Sequence, residues 1–493
     1  MAFIGLDLGT TGCKAVLFGG DGRPCASGYR EYPIDQPQPG WAEQDGEHVW
    51  ACVLEALTEA VRTYEGKEPV TAIGLSVQGE AVAPVDCEGR LLGPFMLGMD
   101  TRTTAQCQHL RHTYGDDRLY AVTGMPNHTI NTIVKLMWHH EHSARNPHRF
   151  VLYEDFLLMR LGGQPAISRC LASRTGLYDL RKRTWDPELL ALAAVTADQL
   201  SPLHDSGTAV ATLLPDLARQ LGLPENVLLV TGGHDQACGA LGAGVIIPGM
   251  AMVSSGTAEV MEVALAEPVA NPVLARGGIS IYEHVVPGLY VAMTLNHAGG
   301  IVLRWCRDAL FPEAKQAAGS SDVYDYLLKG APEGPSPVFC LPHLAGAGTP
   351  LLDTGARGAF TGLALAHTRA DLMKAVLDGL TYELKANLEV LTQAGVHIGQ
   401  LRAIGGGARS ALWLQTKADV LGLTVGAPQV TEAACLGAGL LAAVASGGYT
   451  SLQDAVARTV TMRQAFRPDP AQQGQYAQAY ERYRSLYPAL RPI

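Results

Sequence analysis

Two stretches half a chain length apart share one pattern, and that pattern limits what this chain can fold into. Residues 3–18 read as an apolar strand, the turn Gly9-Thr10-Thr11-Gly12 and a returning strand. Residues 250–260 repeat it around Ser254-Ser255-Gly256-Thr257. The period is far too long for a solenoid, so an internal duplication is expected: two like domains, each opening on a hairpin aimed at one cleft. A chain of 493 residues also exceeds what one core usually serves. The expected domains are residues 1–246 and 247–493.

The two turns have similar chemistry. Asp7 ends the first strand, and with Thr10, Thr11, Lys14 and a flexible backbone it suits a Mg2+–phosphate site. A plain hairpin whose Asp makes local hydrogen bonds would read the same way. At the second turn the backbone N–H groups and hydroxyls of Ser255, Gly256 and Thr257 can hold phosphate oxygens. Shortly before it, the apolar run Val227–Val230 leads into Thr231-Gly232-Gly233-His234-Asp235-Gln236. Glycines there let a ligand approach a lone carboxylate. Asp235 taken alone would serve equally as a helix N-cap.

Further polar groups fall at predicted strand ends, where α/β sheets usually bind ligands. The strand Val70–Val77 delivers Gln78-Gly79-Glu80, and Asp100-Thr101-Arg102 follows. Any one of Glu80, Asp100 and Arg102 could instead make a surface ion pair. Gly299-Gly300 opens a helix over 301–309, where it can meet a nucleotide or only let elements pack closely. Gly406, Gly407 and Ala408 belong to a triple-glycine turn that offers a flat platform for a base. Helices are also predicted over 46–64, 131–142, 371–394, after the triple-glycine turn to Leu421, and over 433–446; residues 174–185 read as loop.

Several classes drop out. A net charge of −10 argues against a nucleic-acid partner. The ten cysteines form no C-x-x-C pair, so neither a disulfide framework nor a zinc ribbon is indicated. The apolar stretches are too short and Gly-rich to span a membrane, and a reducing cytoplasm is the expected compartment. His139 and His142 share a helix face, yet no spaced ligands complete a metal site. P-loop, Rossmann and G-x-S-x-G signatures are all missing.

With these residues placed, the chain resembles the FGGY family of carbohydrate kinases from about Phe3 to Gly448. The opening DLGTT with Lys14 is similar to the family's first phosphate hairpin. Thr132, Lys135 and Trp138 resemble its first signature, and residues 358–378 its second. Residues 173–185 carry an S-x-T-G-L-x-D segment, and GGGARS followed by KADVLG resembles the adenine-binding turn. GGHDQ and SSGT match the catalytic-base and second phosphate segments.

The resemblance implies an α/β fold of two ribonuclease-H-like domains, as in the actin and hexokinase superfamily, with ATP in the cleft between them. It implies Asp235 as catalytic base, Asp7 and Asp235 as Mg2+ partners, and Gln78, Glu80, Asp100, Arg102, Asp235 and Gln236 around the sugar. Thr10, Thr11, Lys14, Ser255, Gly256, Thr257, Gly299, Gly300, Gly406, Gly407 and Ala408 would serve ATP. It allows a homodimer. A ketopentose such as xylulose, D or L, is the expected substrate; a sugar alcohol, glycerol or gluconate is the alternative. A non-catalytic sugar sensor would have no need of the retained Asp7, Asp235 and Gly-Thr turns. Family members acting on xylulose typically carry S-G-Q-M-H-G and W-N-D where this chain has Ser76-Val77-Gln78-Gly79-Glu80-Ala81 and Gly98-Met99-Asp100.

Overall fold

The computed structural model describes residues 1–143 and 146–491. Its two mixed sheets carry the duplication. In the first, β1 (Ala2–Leu8) pairs antiparallel with β2 (Gly12–Phe18), which pairs with β3 (Pro24–Glu31). On the other side β4 (Val70–Val77) runs parallel to β1. β5 (Ala209–Thr212) and β6 (Leu228–His234) complete the sheet, β6 parallel to β4 and β5 antiparallel at the edge.

The second sheet repeats the arrangement outward from its own first strand. β7 (Met250–Ser255) pairs antiparallel with β8 (Glu259–Leu265). Beyond β8 lie β9 (Ser280–Glu283) at the edge and β10 (Tyr290–Asn296) between, all antiparallel. β11 (Gln400–Ile404) and β12 (Thr424–Pro428) run parallel to β7, and β13 (Met462–Phe466) closes the far edge antiparallel. β9 has no counterpart in the first sheet. The outermost antiparallel strand precedes its neighbour in the first half of the chain and follows it in the second.

β1 and β4 are buried nearly throughout, which their continuous apolar sequences require when helices cover both faces. On one side α1 (Gly46–Arg62) places Val49, Val53, Ala56 and Leu57 against the first sheet. Its start is set by Asp45, whose side chain accepts from the N–H groups of Glu47 and His48. α2 (Thr132–His142) and α3 (Asp235–Gly242) also belong to the first half by sequence. The second half supplies α4 (Arg369–Gln393), α5 (Ala411–Leu421) and α6 (Ala433–Ala445).

α6 crosses to the first half, and α3 packs between the two sheets, with Ala237, Cys238 and Leu241 beside Ala72 and Val230 of the first. α3 packs Ala240 and Ala243 with Met250 and Met252 of the second sheet. α6 lies on the first sheet, where Cys435, Leu436 and Leu440 meet Phe3, Val16 and Phe18. The approach is close enough to need glycine: a Cβ on Gly5 would fall 1.8 Å from the Cys435 carbonyl oxygen. The helices cross each other as closely, since a Cβ on Gly437 would sit 1.9 Å from the Cys238 carbonyl oxygen.

Three predicted elements differ. The strand expected to end at Val230 continues to His234, so Asp235 opens a helix directly. Within 174–185, expected as loop, Tyr178–Asp179 pairs with Thr184–Trp185; two-residue strands are too short to show a period. The helix expected over 301–309 is α-helical only at Gly300–Trp305 and widens into a π turn over Cys306–Leu310.

Candidate active site

The parallel strands of the first sheet end side by side, and each end delivers one polar group. Asp7 of β1 lies across from Ser76 of β4, and Ser76 lies across from Gly233 of β6. Ser76 Oγ donates to Asp7 Oδ1 at 2.6 Å. Two residues beyond Gly233, Asp235 points into the cleft with its side chain 26% exposed. Burial is the main cause that raises both acids, Asp7 to about 6 and Asp235 to about 7. The charge of Asp7 adds to this at Asp235.

Glu80 sits beyond β4 in a left-handed backbone conformation, φ +60°. A glutamate stays there only when its surroundings force it. Lys135 of α2, fully buried, donates from Nζ to the carbonyl oxygens of Glu80 at 2.8 Å and Ile130 at 2.9 Å. The Glu80 side chain is taken by Arg174, whose Nε donates to Oε1 at 2.7 Å. Arg174 Nη1 also donates to Ser280 Oγ of β9 at 3.0 Å, so this buried guanidinium touches both halves.

The other expected sugar residues are held as follows. Gln78 Nε2 donates to Gly9 O at 3.3 Å and Gln44 Oε1 at 3.1 Å, while Gln44 Nε2 donates to Thr10 O at 2.6 Å. Gln78 thus braces the Gly9-Thr10 turn. Asp100 accepts from the Ala42 N–H at 2.7 Å and from Arg102. Arg102 also pairs with Glu43 at 2.7 Å and lies 3.5 Å over the Trp41 ring. Gln236 follows Asp235, and its Oε1 is buried without a hydrogen-bond partner.

Across the cleft, β7 and β11 end in the second set of turns. Ser255, Gly256, Thr257, Gly300, Gly406 and Gly407 line a cavity of about 540 Å³ together with Tyr324 and Trp413. Gly300 N donates to Gly256 O at 2.7 Å, which locks the two turns together. A Cβ on Gly299 would meet the Ala258 carbonyl at 2.6 Å. Ala408 closes the triple-glycine turn, its N–H on Gly405 O at 3.2 Å. Beneath the Ser255 turn lies a sealed ion pair: Lys417 Nζ of α5 to Glu259 Oε1 at 2.9 Å, both residues 0% exposed. Ser255 Oγ donates to the same oxygen at 2.6 Å. In the first hairpin Thr10 is half-buried and Thr11 exposed at the cleft, and Lys14 reaches Glu432 of the second half at 2.8 Å.

Two buried acids at the strand ends of the first sheet, and a glycine- and hydroxyl-rich cavity at the turns of the second, suit transfer of a phosphoryl group to an alcohol. Residues 2–242 match the N-terminal domain, and residues 251–446 the C-terminal domain, of the FGGY family of carbohydrate kinases. The chain belongs to that family. It is 29% identical over 494 residues to the xylulose kinase of Bacillus subtilis, spanning 98% of this chain and 96% of that one. The gluconokinase of Bacillus subtilis is 29% identical over 462 residues, 92% of this chain and 89% of that one. The solved xylulose kinase of Rhodospirillum rubrum superposes with a TM-score of 0.89 at 29% identity, covering 100% of this chain and 99% of that one. This FGGY chain is therefore an ATP-dependent carbohydrate kinase with the family's two-domain α/β fold.

Sequence reading missed several residues of this FGGY site. Arg174 sits in the S-x-T-G-L-x-D segment but 94 positions from Glu80. In the sequence His234 is only the residue before Asp235; in the structure its Nε2 lies 3.2 Å from Asp235 Oδ1. Tyr282 and Glu262 complete that corner from the second sheet. His128 lies nearer Glu80: burial is the main cause that lowers the pKa of its imidazole, with His297 and Lys135 adding to it and Glu80 opposing. His139 and His142 draw no further ligands; among the described residues no group of three or more His, Cys, Asp or Glu gathers as a metal cage. No helix of the described residues is long and apolar enough to cross a membrane.

Proposed function

We propose that this enzyme transfers the γ-phosphoryl group of ATP to a hydroxyl of an uncharged ketopentose such as xylulose, with Asp235 as the base. The Arg174–Glu80 pair carries the reading. It leaves the pocket without net charge while Glu80 Oε2 remains an acceptor for sugar hydroxyls. A substrate carboxylate, as in gluconate, finds both arginines of this corner engaged, Arg174 with Glu80 and Arg102 with Asp100 and Glu43, while Lys135 turns its donors to two carbonyls. A sugar alcohol meets the same neutral pocket and is the second reading.

Asp235 would accept the hydroxyl proton as the sugar oxygen attacks phosphorus and the ADP oxygen leaves. Thr10, Thr11, Ser255, Gly256 and Thr257 would hold the phosphates, with Gly299, Gly300 and the turn at Gly406 and Gly407 around the rest of the nucleotide. Mg2+ suits the donor set. Asp7 and Asp235 are two carboxylates raised mainly by burial, Asp235 also by Asp7, and Mg2+ binding commonly takes one or two carboxylates with phosphates and water. Bound there, Mg2+ would supply charge neutralisation to the transferring phosphoryl group.

A coupled ADP-release screen over D- and L-pentuloses, pentitols, tetritols, glycerol and gluconate tests the substrate class. Turnover highest on a pentulose is expected; turnover highest on gluconate would overturn the neutral-pocket argument. Glu80→Gln should lower kcat/KM for the best sugar by about 1–3 kcal/mol, the usual loss for a charged hydrogen bond. The KM for ATP should stay put, because ATP lies across the cleft. A variant in which only the ATP constant moves would put the sugar elsewhere.

A further inference from the structure

The turn between β1 and β2 has its carbonyl oxygens held from behind. Gly9 O accepts from the Tyr32 hydroxyl at 2.8 Å and from Gln78 Nε2 at 3.3 Å. Thr10 O accepts from Gln44 Nε2 at 2.6 Å, and Thr11 O from the Tyr32 N–H at 3.2 Å. Gly12 O accepts from the Gly9 N–H at 2.9 Å. The side-chain donors come from three separate stretches of chain, and Tyr32, Gln44 and Gln78 are all buried. Behind them Gln44 Oε1 accepts twice, from Gln78 Nε2 at 3.1 Å and from the Tyr153 hydroxyl at 2.8 Å. Tyr153 is itself fixed, its ring stacked on that of Phe95 at 3.9 Å between centroids.

Hydrogen-bond direction fixes both amides. Carbonyl oxygens only accept, so Gln44 and Gln78 must turn their NH2 ends to the turn. Gln44 Oε1 is then left facing two donors, Gln78 Nε2 and the Tyr153 hydroxyl, and the ladder closes without conflict. Peptide geometry carries the effect to the other side of the turn. In a trans peptide the C=O and the following N–H point in opposite directions. Gly9 O and Thr10 O, drawn toward the buried amides, therefore send the N–H groups of Thr10 and Thr11 away from them. Those two N–H groups donate to no acceptor among the described residues. Thr10 is half-buried and Thr11 exposed. Two successive free N–H groups suit a phosphate oxygen, whereas a carbonyl turned outward would repel it.

We propose that Gln44 and Gln78 are positioning residues for the phosphoryl donor: by holding Gly9 O and Thr10 O, they aim the N–H groups of Thr10 and Thr11 at the terminal phosphates of ATP. This role, which rests on the first hairpin serving ATP, moves Gln78 from the sugar to the nucleotide. Glu80, two positions on, stays with the sugar.

The first measurement needs no nucleotide. Amide hydrogen exchange at Gly9 and Tyr32, whose N–H groups close the turn, should quicken in Gln44→Met. Unchanged exchange would overturn the bracing whether or not the hairpin serves ATP. The second is titration calorimetry without sugar, comparing ATP with AMP in the presence of Mg2+. AMP lacks the two phosphates that the hairpin would hold. Gln44→Met and Gln78→Met should therefore weaken ATP about 10- to 100-fold, the usual worth of a hydrogen bond to a charged group, and leave AMP at its wild-type affinity. The KM for the sugar should not move in Gln44→Met. Gln44→Glu sets an acceptor against Thr10 O and should bind ATP no better than Gln44→Met does. Tyr32→Phe removes one donor from Gly9 O; it should shift ATP in the same direction by less, and it serves as the test if the glutamine variants fold poorly. Equal losses for ATP and AMP, a loss for the sugar alone, or full ATP affinity in Gln44→Glu would overturn the role. If the wild-type enzyme bound ATP no more tightly than AMP while the exchange rates responded as expected, the placement of the phosphates would fail and the bracing of the turn would stand.

Discussion

Asp235→Asn should lower kcat by about 10²–10⁴-fold, the usual contribution of a positioned general base. The amide keeps the shape of the carboxylate at the start of α3, so the fold and most of the ATP affinity should persist. The acid limb of the wild-type pH profile supplies a second check. Asp235 lies near pH 7 in the free enzyme, raised first by burial and then by Asp7. A protonated carboxyl cannot accept, so kcat/KM for the sugar should fall as the pH drops through that region. The limb should vanish in Asp235→Asn. A variant with near-normal kcat would remove Asp235 from the chemistry.

The largest effect on stability is expected at Lys417. Its ammonium and the Glu259 carboxylate are sealed beneath the Ser255 turn, both 0% exposed. The ammonium also lies 3.5 Å over the Trp413 ring and 3.3 Å from Ser255 Oγ. Removing one partner of such a pair strands the other charge, which typically costs about 3–5 kcal/mol. Lys417→Met should show that loss in denaturant unfolding. Its KM for ATP should rise as well, because Ser255 loses one of its two hydrogen-bond partners. The double variant Lys417→Met/Glu259→Met should recover much of the stability, since no charge is then left unpaired. No recovery would mean that the packing around Trp413, and not the charge, carries the effect.

The features legible in the sequence were those made by contiguous residues. Both hairpins announce themselves through a Gly-Thr turn between apolar runs, and the sheets built on them match strand for strand around β1 and β7. Asp7, Glu80 and Asp235 were found because each lies at or just past the end of a buried strand. Their partners were not, since each comes from a distant part of the chain. Arg174 reaches Glu80 across 94 positions, and Tyr282 reaches His234 across 48. Nothing local marks a buried arginine or tyrosine as part of a site. Gln78 was legible as polar and near the site, but its direction was not: a one-residue change along the pleat separates the sugar side from the hairpin that Gln78 braces. The left-handed conformation of Glu80 had no local signal either, because it is imposed by Lys135 from α2.

The placement of α6 on the first sheet has a consequence for how the chain is made. Translation delivers all six strands of the first sheet by His234, yet α6, which covers Gly5 and Gly74, begins only at Ala433. Until then Phe3, Val16 and Phe18 have no α6 to pack against. At about 5–20 residues per second the ribosome needs on the order of ten seconds or more to cover that interval. The nascent first half should bind chaperones throughout it and lose them once α6 emerges. A stop codon after residue 246 should yield an insoluble product, and supplying residues 247–493 as a separate chain should rescue it.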